Sequence, residues 1–473
     1  MKQSLWINGN EVETKEYASL FSPYNQELIA EVSVAAESDI VRAIDAAAKA
    51  AGTLRNMPAY ERADILDRVV ELLKEHKDEC ARIIALEAAK PLKAARGEVE
   101  RTIMTYKFAA QEARRLVGET IPMDAAPGGE NRVAYTVKEP LGVVAAITPF
   151  NFPMNLVAHK VGPAIASGNT VVLKPASQTP LSSYKIAQFF HKAGLPNGAL
   201  NVVTGSGRVI GDVLLADERV EMITFTGSPE VGKYIRENAG LKRVTLELGS
   251  NSAVIVDEHS KIEEIVPRIV SGAFVFQGQV CISVQRIYVH ENLYDPFVEQ
   301  FLSEAKKLVI GNPFDESTDI SAMISPTEKE RVLGWIRSAE SQGAEIVLGG
   351  KEENGALQPT VLLNVPPNEK ISCEEAFAPV VHINRVSSFE EAIELVNESK
   401  YGLQAGVFTQ DVQRAFKAAK ELHVGGVMIN DIPTFRVDHM PYGGVKLSGM
   451  GREGIKYAMD EMTELKLISF KLS

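Results

Sequence analysis

The stretch GVVAAITPFNFPMNLVAHKVGPAIASGNTVVLK, residues 142–174, gives the clearest indication of the fold of this chain. It begins with the apolar run 142–147, passes a proline-rich turn into an apolar segment that ends near Gly168, and returns to a second run at Thr170–Leu173. Short β-branched runs joined by helical crossovers are typical of a parallel sheet covered on both faces. The stretch therefore predicts a strand, a buried helix and a second, parallel strand.

The same alternation continues on the C-terminal side of this stretch. Further strands are predicted at Leu200–Val203 and Met222–Phe225, followed by helices that begin at about Val209 and end at Gly240. This first sheet is therefore predicted to be doubly wound, as in nucleotide-binding domains. A second α/β unit is predicted after Leu246, with strands at 253–256, 286–289, 380–384 and 427–429 and helices around 294–308, 327–342, 389–398 and 413–422.

The residues before this stretch have a different pattern. The first third of the chain is predicted to be helical, with Ser38 and Asp39 as caps of one helix and an amphipathic helix at 65–73. The polar segment Thr120 to Lys138 precedes the first predicted sheet, and the period-2 alternation of Leu465 to Leu472 predicts an edge strand that pairs with it. Because an exposed edge strand offers unpaired backbone groups, we expect it to pair with another subunit.

Composition limits the class of protein. The 473 residues are 45% hydrophobic and 24% charged and carry a net charge of −12, so we expect a globular protein that binds neither nucleic acid nor a membrane surface. The run Pro140 to Ala158 contains prolines and asparagines and is not expected to span a membrane. The N-terminal residues hold no apolar secretory segment, and three cysteines are too few for a disulfide framework. We therefore expect a reduced, cytoplasmic protein.

Ligands bind at the carboxyl ends of the strands in sheets of this kind, and several strand ends carry residues suited to chemistry. The turn Thr226-Gly227-Ser228-Pro229 opens a helix and suits either a pyrophosphate or a plain helix cap. Lys174, with Ser177 three residues later, suits either a ribose and a phosphate or a solvated strand end. Asn151, between two prolines, suits either the donation of a hydrogen bond from a rigid, largely apolar wall or an Asx turn.

The last such place sets a cysteine beside a carboxylate. Cys281 follows a predicted helix, and Glu247 ends an apolar strand. A lone cysteine is more often a small buried hydrophobe than a nucleophile, and Cys80, on an amphipathic helix, fits that description. Cys373 stands beside two glutamates, whose charge makes a thiol less reactive. Cys281 is therefore the best candidate nucleophile, and no metal site is predicted.

Seven motifs in a fixed order make the chain resemble the NAD(P)-dependent aldehyde dehydrogenases. They are Pro149-Phe150-Asn151-Phe152-Pro153, Lys174-Pro175, Phe225-Thr226-Gly227-Ser228, Leu246-Glu247-Leu248-Gly249, Gly278-Gln279-Val280-Cys281, Glu374-Glu375-Ala376-Phe377-Ala378-Pro379 and Pro441-Tyr442-Gly443-Gly444. The resemblance covers essentially the whole chain. It implies an α/β fold with a doubly wound NAD(P)-binding domain (1–119 and 141–249), a second α/β catalytic domain (250–452) and a small β oligomerisation arm (120–140 and 453–473).

The resemblance also implies catalytic roles. Cys281 is expected to attack the aldehyde and form a thiohemiacetal, while the Asn151 side-chain amide and the backbone N–H of Cys281 bind the oxyanion. After hydride transfer to NAD(P), the Glu247 carboxylate is expected to activate the water that hydrolyses the resulting thioester. Lys174 is placed both in this catalytic group and on the adenosine ribose. The family habit implies a homodimer or homotetramer.

Cofactor residues are implied in the same way. The expected set is Thr148, Pro149, Phe150, Lys174, Ser177, Gly205, Thr226, Gly227, Ser228, Leu248, Gly249, Glu375 and Phe377. Gly205 is expected beside the adenosine, Ser228 on the pyrophosphate, and Glu375 with Phe377 around the nicotinamide. Strictly NAD-using members commonly carry a glutamate in place of Ser177, which repels a 2′-phosphate. Serine removes that repulsion, so NAD or NADP is expected, with NADP accepted.

Several substrates are compatible with the resemblance. The segment Thr434–Pro441 is similar to members that oxidise lactaldehyde, glyceraldehyde and related short hydroxyaldehydes. Arg436 and His439 are expected either to bind a substrate hydroxyl or anionic tail, or to form a structural salt bridge. The residues after Lys174 are similar to succinate-semialdehyde dehydrogenases, many of which carry an arginine in place of His159. His159 is therefore a third candidate for binding substrate. A CoA-acylating semialdehyde dehydrogenase, against which Glu247 argues, and a non-catalytic structural or binding relative are further alternatives.

Overall fold

The computed structural model describes residues 2–472 and confirms the first predicted sheet. Its strands are β2 (Leu5–Ile7), β3 (Asn10–Val12), β8 (Val143–Ile147), β9 (Thr170–Lys174), β10 (Leu200–Val202), β11 (Val220–Thr226), β12 (Arg243–Glu247) and β24 (Gly449–Met450). They lie in the order β24-β12-β11-β8-β9-β10-β2-β3, and the strands from β12 to β10 run parallel. The strand–helix–strand unit at 142–174 therefore forms the centre of this sheet.

Helices cover both faces of the first sheet. One face packs against α2 (Ala59–Glu75), α3 (Lys77–Ala88), α4 (Leu92–Ala113), α5 (Asn155–Ala166) and α6 (Leu181–Lys192), and the other against α1 (Glu37–Asn56), α7 (Gly207–Ala216) and α8 (Pro229–Asn238). In β8, Val144 and Ala146 contact the first group, whereas Val143 and Ala145 contact the second. Burial on both faces is the reason why these strands are nearly continuous apolar runs.

The second α/β unit is also confirmed. Its sheet contains β13 (Ala253–Val256), β14 (Arg286–His290), β15 (Glu345–Leu348), β18 (Thr360–Leu363), β19 (Val380–Val386), β21 (Gln404–Phe408) and β22 (Gly426–Ile429), in the order β15-β18-β19-β14-β13-β21-β22. Only β15 is antiparallel to its neighbour in this sheet. The helices of this unit are α9 (Ile262–Phe274), α10 (Glu291–Ala305), α11 (Pro326–Ser341), α12 (Lys370–Cys373), α13 (Phe389–Asn397) and α14 (Val412–Glu421). They cover both sheet faces, with α9 and α10 opposite α13 and α14.

A small antiparallel sheet, which we call the arm, joins two distant parts of the chain. It consists of β6 (Thr120–Ile121), β7 (Arg132–Pro140) and β25 (Thr463–Lys471), and β25 follows α15 (Ile455–Glu461). The pairing of β25 with β7 runs from Thr463 opposite Pro140 to Lys471 opposite Arg132, which confirms the predicted edge strand. Apolar side chains of this segment remain exposed, namely Leu465, Leu467, Phe470 and Leu472.

The prediction that the first third of the chain is helical is wrong up to Val34. Strands β1 (Lys2–Gln3), β4 (Glu16–Phe21) and β5 (Leu28–Val34) form a separate sheet, while β2 and β3 extend the first one. These strands are short and separated by polar turns, so their alternation is hard to recognise. Ser38 is likewise no cap, because the extended chain after β5 allows α1 to begin at Glu37, where the Asp39 carboxylate accepts a hydrogen bond from the backbone N–H of Ala36 at 3.1 Å.

The chain also forms two short antiparallel ribbons. In one, β16 (Glu352–Glu353) pairs with β17 (Ala356–Leu357), and in the other, β20 (Tyr401–Gly402) pairs with β23 (Val445–Lys446). Strand β24 lies in the first sheet although the predicted catalytic domain includes its residues, and the division into three domains stays a prediction. None of the helices within residues 2–472 is long and apolar enough to cross a membrane. The same residues contain no group of three or more His, Cys, Asp or Glu side chains that could hold a metal ion.

Candidate active site

Two hollows lie side by side at the carboxyl ends of the first sheet's strands. The smaller, about 320 Å³, contains Cys281 and is called the Cys281 cavity; the larger, about 710 Å³, lies along β8, β9 and β11 and is called the strand-end cleft. Thr226, at the end of β11, lines both. The arrangement agrees with the rule that ligands of open α/β sheets bind at the carboxyl ends of strands.

A strained loop holds Cys281 in place. After α9 the backbone takes a left-handed conformation at Phe276, Gln277 and Gly278, with φ of 48°, 54° and 66°. A Cβ at Gly278 would collide with the carbonyl oxygen of Ala378, so glycine is required at this position. The Gln277 side chain donates to the carbonyl oxygens of Ala89 and Ala322 at 3.1 and 2.8 Å, which fixes the loop from both sides.

The thiol of Cys281 is partly buried and faces a polar group. Its Sγ lies 2.9 Å from the hydroxyl oxygen of Tyr442. Burial raises the pKa of Cys281 to about 12, although the Tyr442 hydrogen bond and the Arg436 charge act in the opposite direction. Cys80 instead lies in the helical core of the first unit, and Cys373, whose pKa is raised by burial and by the Glu374 charge, lies outside the cavity.

Asn151 lines the Cys281 cavity from a fixed turn. Its Nδ2 donates to the carbonyl oxygen of Gln279 at 3.0 Å, so the side chain reaches the cysteine loop instead of closing its own turn. Its Oδ1 is buried without a partner in the described part of the chain. Below it, the buried Lys90 ammonium pairs with Glu98 and donates to the carbonyl oxygen of Asn151 at 2.6 Å. The amide is therefore held at the cavity wall from two directions.

Glu247 ends strand β12 and points into the same cavity. The residue is 3% exposed, and neither carboxylate oxygen has a hydrogen-bond partner within residues 2–472. Burial and the nearby Glu453 charge raise the pKa of Glu247 well above its usual range. A Cβ at Gly443 would lie 2.9 Å from Glu247 Oε1, so a glycine here leaves room around the carboxylate. Such an unsatisfied buried carboxyl is a candidate general base.

A network of buried charges supports the far side of the cavity. Glu453 accepts hydrogen bonds from Lys160 at 3.1 Å and from Arg436 at 2.9 Å. Burial alone would raise the pKa of Glu453, but the charges of Lys160 and Arg436 outweigh it and hold that pKa below the usual range. The pKa values of these two neighbouring carboxyls are therefore shifted in opposite directions, that of Glu247 upward and that of Glu453 downward.

Of the three residues predicted to bind substrate, only Arg436 lines the cavity. Its guanidinium lies 3.6 Å from the Tyr442 ring centroid, and its Nε has no acceptor among the described residues. His159 is buried behind it, 3.2 Å from Arg436 Nη2 and 2.9 Å from Asp438. His439 is exposed, packs against Phe108 and lines neither hollow.

The strand-end cleft collects the polar residues predicted on the cofactor side. Lys174, which the resemblance also placed in the catalytic group, lines this cleft and not the Cys281 cavity, and burial lowers its pKa to about 8. Ser177 lies beside it and donates to the carbonyl oxygen of Gly205 at 3.4 Å. Gly205 adopts φ +142° next to Ala35, where a side chain is disfavoured. Arg208, at the start of α7, completes the polar wall.

The N-terminus of α8 lies between the two hollows. Ser228 caps this helix by accepting a hydrogen bond from the N–H of Val231, and Pro229 occupies the first turn, as predicted. Buried hydroxyls of Thr148 and Thr226 have no partner within the described residues. Free hydroxyls and a helix N-terminus beside a long cleft fit a dinucleotide with its pyrophosphate at α8.

The passage from the cleft to Cys281 is lined by residues of both sheets. Those of the predicted cofactor set are Pro149, Phe150, Gly227, Leu248, Gly249, Glu375 and Phe377. Glu375 accepts a hydrogen bond from the N–H of Ser250 at 2.9 Å, and burial raises its pKa to about 7 despite that bond. The rings of Phe150 and Phe377 meet edge to face with centroids 5.7 Å apart. The Cys281 cavity therefore offers an edge-to-face aromatic pair and one carboxylate next to the strand-end cleft.

Sequence reasoning missed five residues that line the cavity, namely Leu156, Glu328, Arg331, Tyr442 and Glu453. Tyr442 was part of a motif but had no role, and Glu453 lies between Gly451 and Gly454 without any distinctive spacing. No local sequence pattern marks Glu453, because its role depends on contacts with Lys160 and Arg436, which belong to other segments of the chain. The two glycines beside Glu453, both at positive φ, were the one available signal of a constrained segment.

Three kinds of comparison with known proteins give one result. The model of the aldehyde dehydrogenase family matches residues 6–468. A 3-sulfolactaldehyde dehydrogenase of Priestia megaterium is 50% identical over 99% of this chain and 98% of its own, and a lactaldehyde dehydrogenase of Methanocaldococcus jannaschii is 42% identical over 98% of each.

Two solved structures are similar over nearly the entire chain. Aldehyde dehydrogenase 21 from Physcomitrella patens, in complex with the reaction product succinate, has a TM-score of 0.97 and 41% identity, covering 99% of this chain and 98% of its own. The NADP-dependent glyceraldehyde-3-phosphate dehydrogenase from Bacillus halodurans C-125, complexed with NADP, has a TM-score of 0.97 and 39% identity over 100% of both chains.

Proposed function

The chain belongs to the aldehyde dehydrogenase family, and we propose that it oxidises a short 2-hydroxyaldehyde with an anionic tail to the carboxylic acid, using NAD or NADP. One observation carries the proposal: Cys281 lies in a cavity lined by the Asn151 amide, the Glu247 carboxylate and the buried cation Arg436. These groups supply a nucleophile, an oxyanion donor, a base and an anchor for a negative group. Relatives named for sulfolactaldehyde, lactaldehyde and glyceraldehyde-3-phosphate support the substrate class.

Covalent catalysis begins with the sulfur of Cys281. As the thiolate, it attacks the aldehyde carbon, and the carbonyl oxygen becomes the oxyanion of a thiohemiacetal. The Asn151 Nδ2 carries two N–H groups, of which one is bonded to Gln279, so the other is available to the oxyanion together with the backbone N–H of Cys281. Rigid support of the Asn151 turn by Lys90 keeps this donor in position.

The cofactor and water complete the reaction. Bound NAD or NADP supplies the hydride acceptor, and Lys174, Ser228 and Glu375 are the residues proposed to hold its ribose, pyrophosphate and nicotinamide ribose. The thioester that remains on Cys281 is attacked by water, whose proton passes to Glu247, and the sulfur departs as thiolate. Because Glu247 works as a base only when ionised and its pKa is raised by burial and by Glu453, deacylation is expected to increase with pH.

Arg436 is the residue proposed to select the substrate. A guanidinium can bind two oxygens of a sulfonate, phosphate or carboxylate, and the Nε of Arg436 has no acceptor within residues 2–472. The Glu453 carboxylate already neutralises part of the Arg436 charge. A compact anion is therefore proposed to bind better than a long one, which would have to extend past the Arg436–Glu453 ion pair. Succinate semialdehyde is the second candidate, because the structure similar to this chain contains succinate.

A panel of aldehydes tests the substrate. We expect kcat/KM to be highest for 3-sulfolactaldehyde and glyceraldehyde-3-phosphate, lower for lactaldehyde and glyceraldehyde, and lower again for succinate semialdehyde. Arg436→Gln is expected to lower kcat/KM for the anionic hydroxyaldehydes by about 10- to 100-fold while affecting lactaldehyde less. Equal losses for charged and neutral substrates would contradict an anchoring role. Replacing water by CoA as the acceptor tests the acylating alternative, which predicts an acyl-CoA product.

NADP is proposed as the preferred cofactor. Ser177 places no carboxylate beside Lys174, and Lys174 and Arg208 are the two cations that line the cleft, which also contains Asp212 and Glu230. The 2′-phosphate is proposed to lie beside Lys174, Ser177 and Arg208. The NADP complex of the similar glyceraldehyde-3-phosphate dehydrogenase supports this proposal. A higher kcat/KM with NAD than with NADP would contradict it.

The arm is proposed to join subunits of a homodimer or homotetramer, with domains divided at the boundaries given above. Its strand β25 pairs with β7 on one side only, and Leu465, Leu467 and Phe470 are exposed. An unpaired strand edge with exposed apolar side chains is a preferred place for another chain to add. Sedimentation of the protein and of Leu467→Asp tests this, since an unchanged oligomeric state in the variant would contradict it.

A further inference from the structure

The hydroxyl of Tyr442 contacts the reacting atom, yet the reaction described above gives it no task. It lies 2.9 Å from Cys281 Sγ, and the residue is 2% exposed. We propose that Tyr442 is a further catalytic residue, whose hydroxyl donates a hydrogen bond to the Cys281 thiolate and stabilises that ion until it attacks the aldehyde. The inference rests on the proposed role of Cys281 as the nucleophile.

Neighbouring contacts fix the Tyr442 hydroxyl in position. The backbone N–H of Tyr442 donates to the carbonyl oxygen of Glu453 at 3.0 Å, and the N–H of Glu453 donates back at 2.7 Å. Arg436 stacks on the Tyr442 ring and binds the Glu453 carboxylate at 2.9 Å. The three residues form a closed triangle in which ring, guanidinium and carboxylate fix one another. The hydroxyl therefore needs no rearrangement to meet the sulfur.

Chemistry decides which atom is the donor. A thiol and a phenol can each donate to the other, but a thiolate has no proton, so the hydroxyl must donate once Cys281 ionises. Burial and the Cys281 charge raise the pKa of Tyr442 well above its usual range, so the phenol keeps its proton. A hydrogen bond to an ion is about twice as strong as one between neutral groups. The contact therefore favours the thiolate over the thiol.

The charged groups around the sulfur make this contact important. Tyr442 and Arg436 favour the thiolate, whereas burial and the charges of Glu375 and Glu247 oppose it. Of the two favourable groups, the hydroxyl acts more strongly than the guanidinium. Removing the hydroxyl leaves a buried sulfur with two carboxyls nearby and one cation that is already paired with Glu453. The thiolate should then form only at higher pH.

The pH dependence of Cys281 alkylation tests the proposal on the full chain without cofactor or substrate. Iodoacetamide labelling, followed by mass spectrometry of the Cys281 peptide, reports the thiolate fraction separately from Cys80 and Cys373. We expect Tyr442→Phe to raise the midpoint pH by about one unit or more, and so to lower the rate at neutral pH by about 10-fold or more. At every pH below the midpoint the Tyr442→Phe rate should be lower than the parental rate by the same factor, because the two proteins then differ only in thiolate fraction.

Tyr294→Phe provides a matched control. Its hydroxyl is also buried and donates to the carbonyl oxygen of Ile383 at 3.3 Å, but it lies outside the Cys281 cavity. We expect this variant to lose a similar hydrogen bond and to keep the parental midpoint. An identical midpoint in Tyr442→Phe and the parent overturns the proposal, and so does an equal shift in both variants.

A second measurement uses the opposite change. Fluorotyrosine incorporated at position 442 keeps the shape of the side chain and makes the phenol a stronger donor, so the midpoint should fall; a midpoint that stays or rises contradicts the proposal even where Tyr442→Phe does not fold. Cys281→Ser separates this inference from the proposed function. Dehydrogenase activity surviving in that variant would refute the nucleophile itself, whatever the alkylation profile of Tyr442→Phe.

Discussion

The Cys281 cavity and the strand-end cleft share Thr226 but are constructed differently. The cleft is lined by strand–helix junctions of one sheet, and its polar groups make only local contacts, such as that of the Tyr234 hydroxyl with Asp212 at 2.8 Å. The cavity draws on both sheets and on residues 436–453, and buried charges link its members. A change in the cleft should therefore alter one local interaction, whereas a change in the cavity should affect several groups together.

The largest effect is expected at the centre of the cavity. Cys281→Ser should reduce aldehyde oxidation by about 10⁴- to 10⁶-fold, because the covalent route is lost. Steady-state NAD(P)H formation measures this. Cys373→Ser, outside the cavity, is the matched control and should keep parental turnover. Comparable residual rates in the two variants would show that the nucleophile has been assigned to the wrong thiol.

Glu247→Gln should separate the two halves of the reaction. Loss of the base should slow deacylation by about 10²- to 10⁴-fold while the first turnover still gives a burst of NAD(P)H. The raised pKa of Glu247 means that the ionised fraction increases as pH rises, so parental deacylation should rise with pH. The same plot for the glutamine variant should be flat. Stopped-flow measurements of the burst and the steady-state rate across a range of pH test this prediction. If deacylation in Glu247→Gln rose with pH as steeply as in the parent, Glu247 would not be the base.

Glu453→Gln should show that the cavity responds as a unit. Leaving the buried Lys160 and Arg436 without their shared partner is expected to reduce the free energy of unfolding by about 3–5 kcal/mol. It also removes a charge that raises the pKa of Glu247, so the midpoint of deacylation should move to lower pH. Denaturant unfolding and the pH profile measure the two effects. Exposed Glu237→Gln is the control, and similar unfolding curves for both variants would contradict the coupling.

The smallest effect is expected in the cleft. Ser177→Glu should lower kcat/KM for NADP by about 10- to 100-fold through repulsion of the 2′-phosphate, while kcat/KM for NAD changes little or improves. Ser177→Ala, which adds no charge, should keep the parental preference. Initial rates with both cofactors measure the ratio. Stability and the pH dependence of deacylation should stay unchanged, since the cleft residues are not linked to the cavity charges.

The same contrast explains how much the sequence could predict. Both sheets, the helix capped by Ser228 and the pairing of the arm follow from apolar periodicity and glycine turns, which are local patterns. The residues of the cleft stand at predictable strand ends. Asn151, Glu247 and Cys281 could be selected as candidates, because each stands in an unusual local context and the motifs around them resemble a known family.

What the sequence could not supply is the set of contacts between distant segments. Lys160 meets Glu453 from more than 250 residues away, and His439, although close to Arg436 in sequence, is exposed. Three-dimensional placement, not residue type, decides which of these side chains faces the cavity. The N-terminal strands were missed for a different reason, since strands as short as β1 and β2 show too few residues for a period to emerge.

Strand β24 has a consequence for the order in which the protein matures during synthesis. Its two residues, Gly449–Met450, pair with Leu246 and Glu247 at the edge of a sheet whose other strands have all been translated by residue 247. A ribosome-bound chain can thus assemble most of the first sheet and its cleft early, but the surroundings of Glu247 wait for the last tenth of the polypeptide. A nascent chain arrested before β24 emerges is expected to bind nucleotide without oxidising aldehyde.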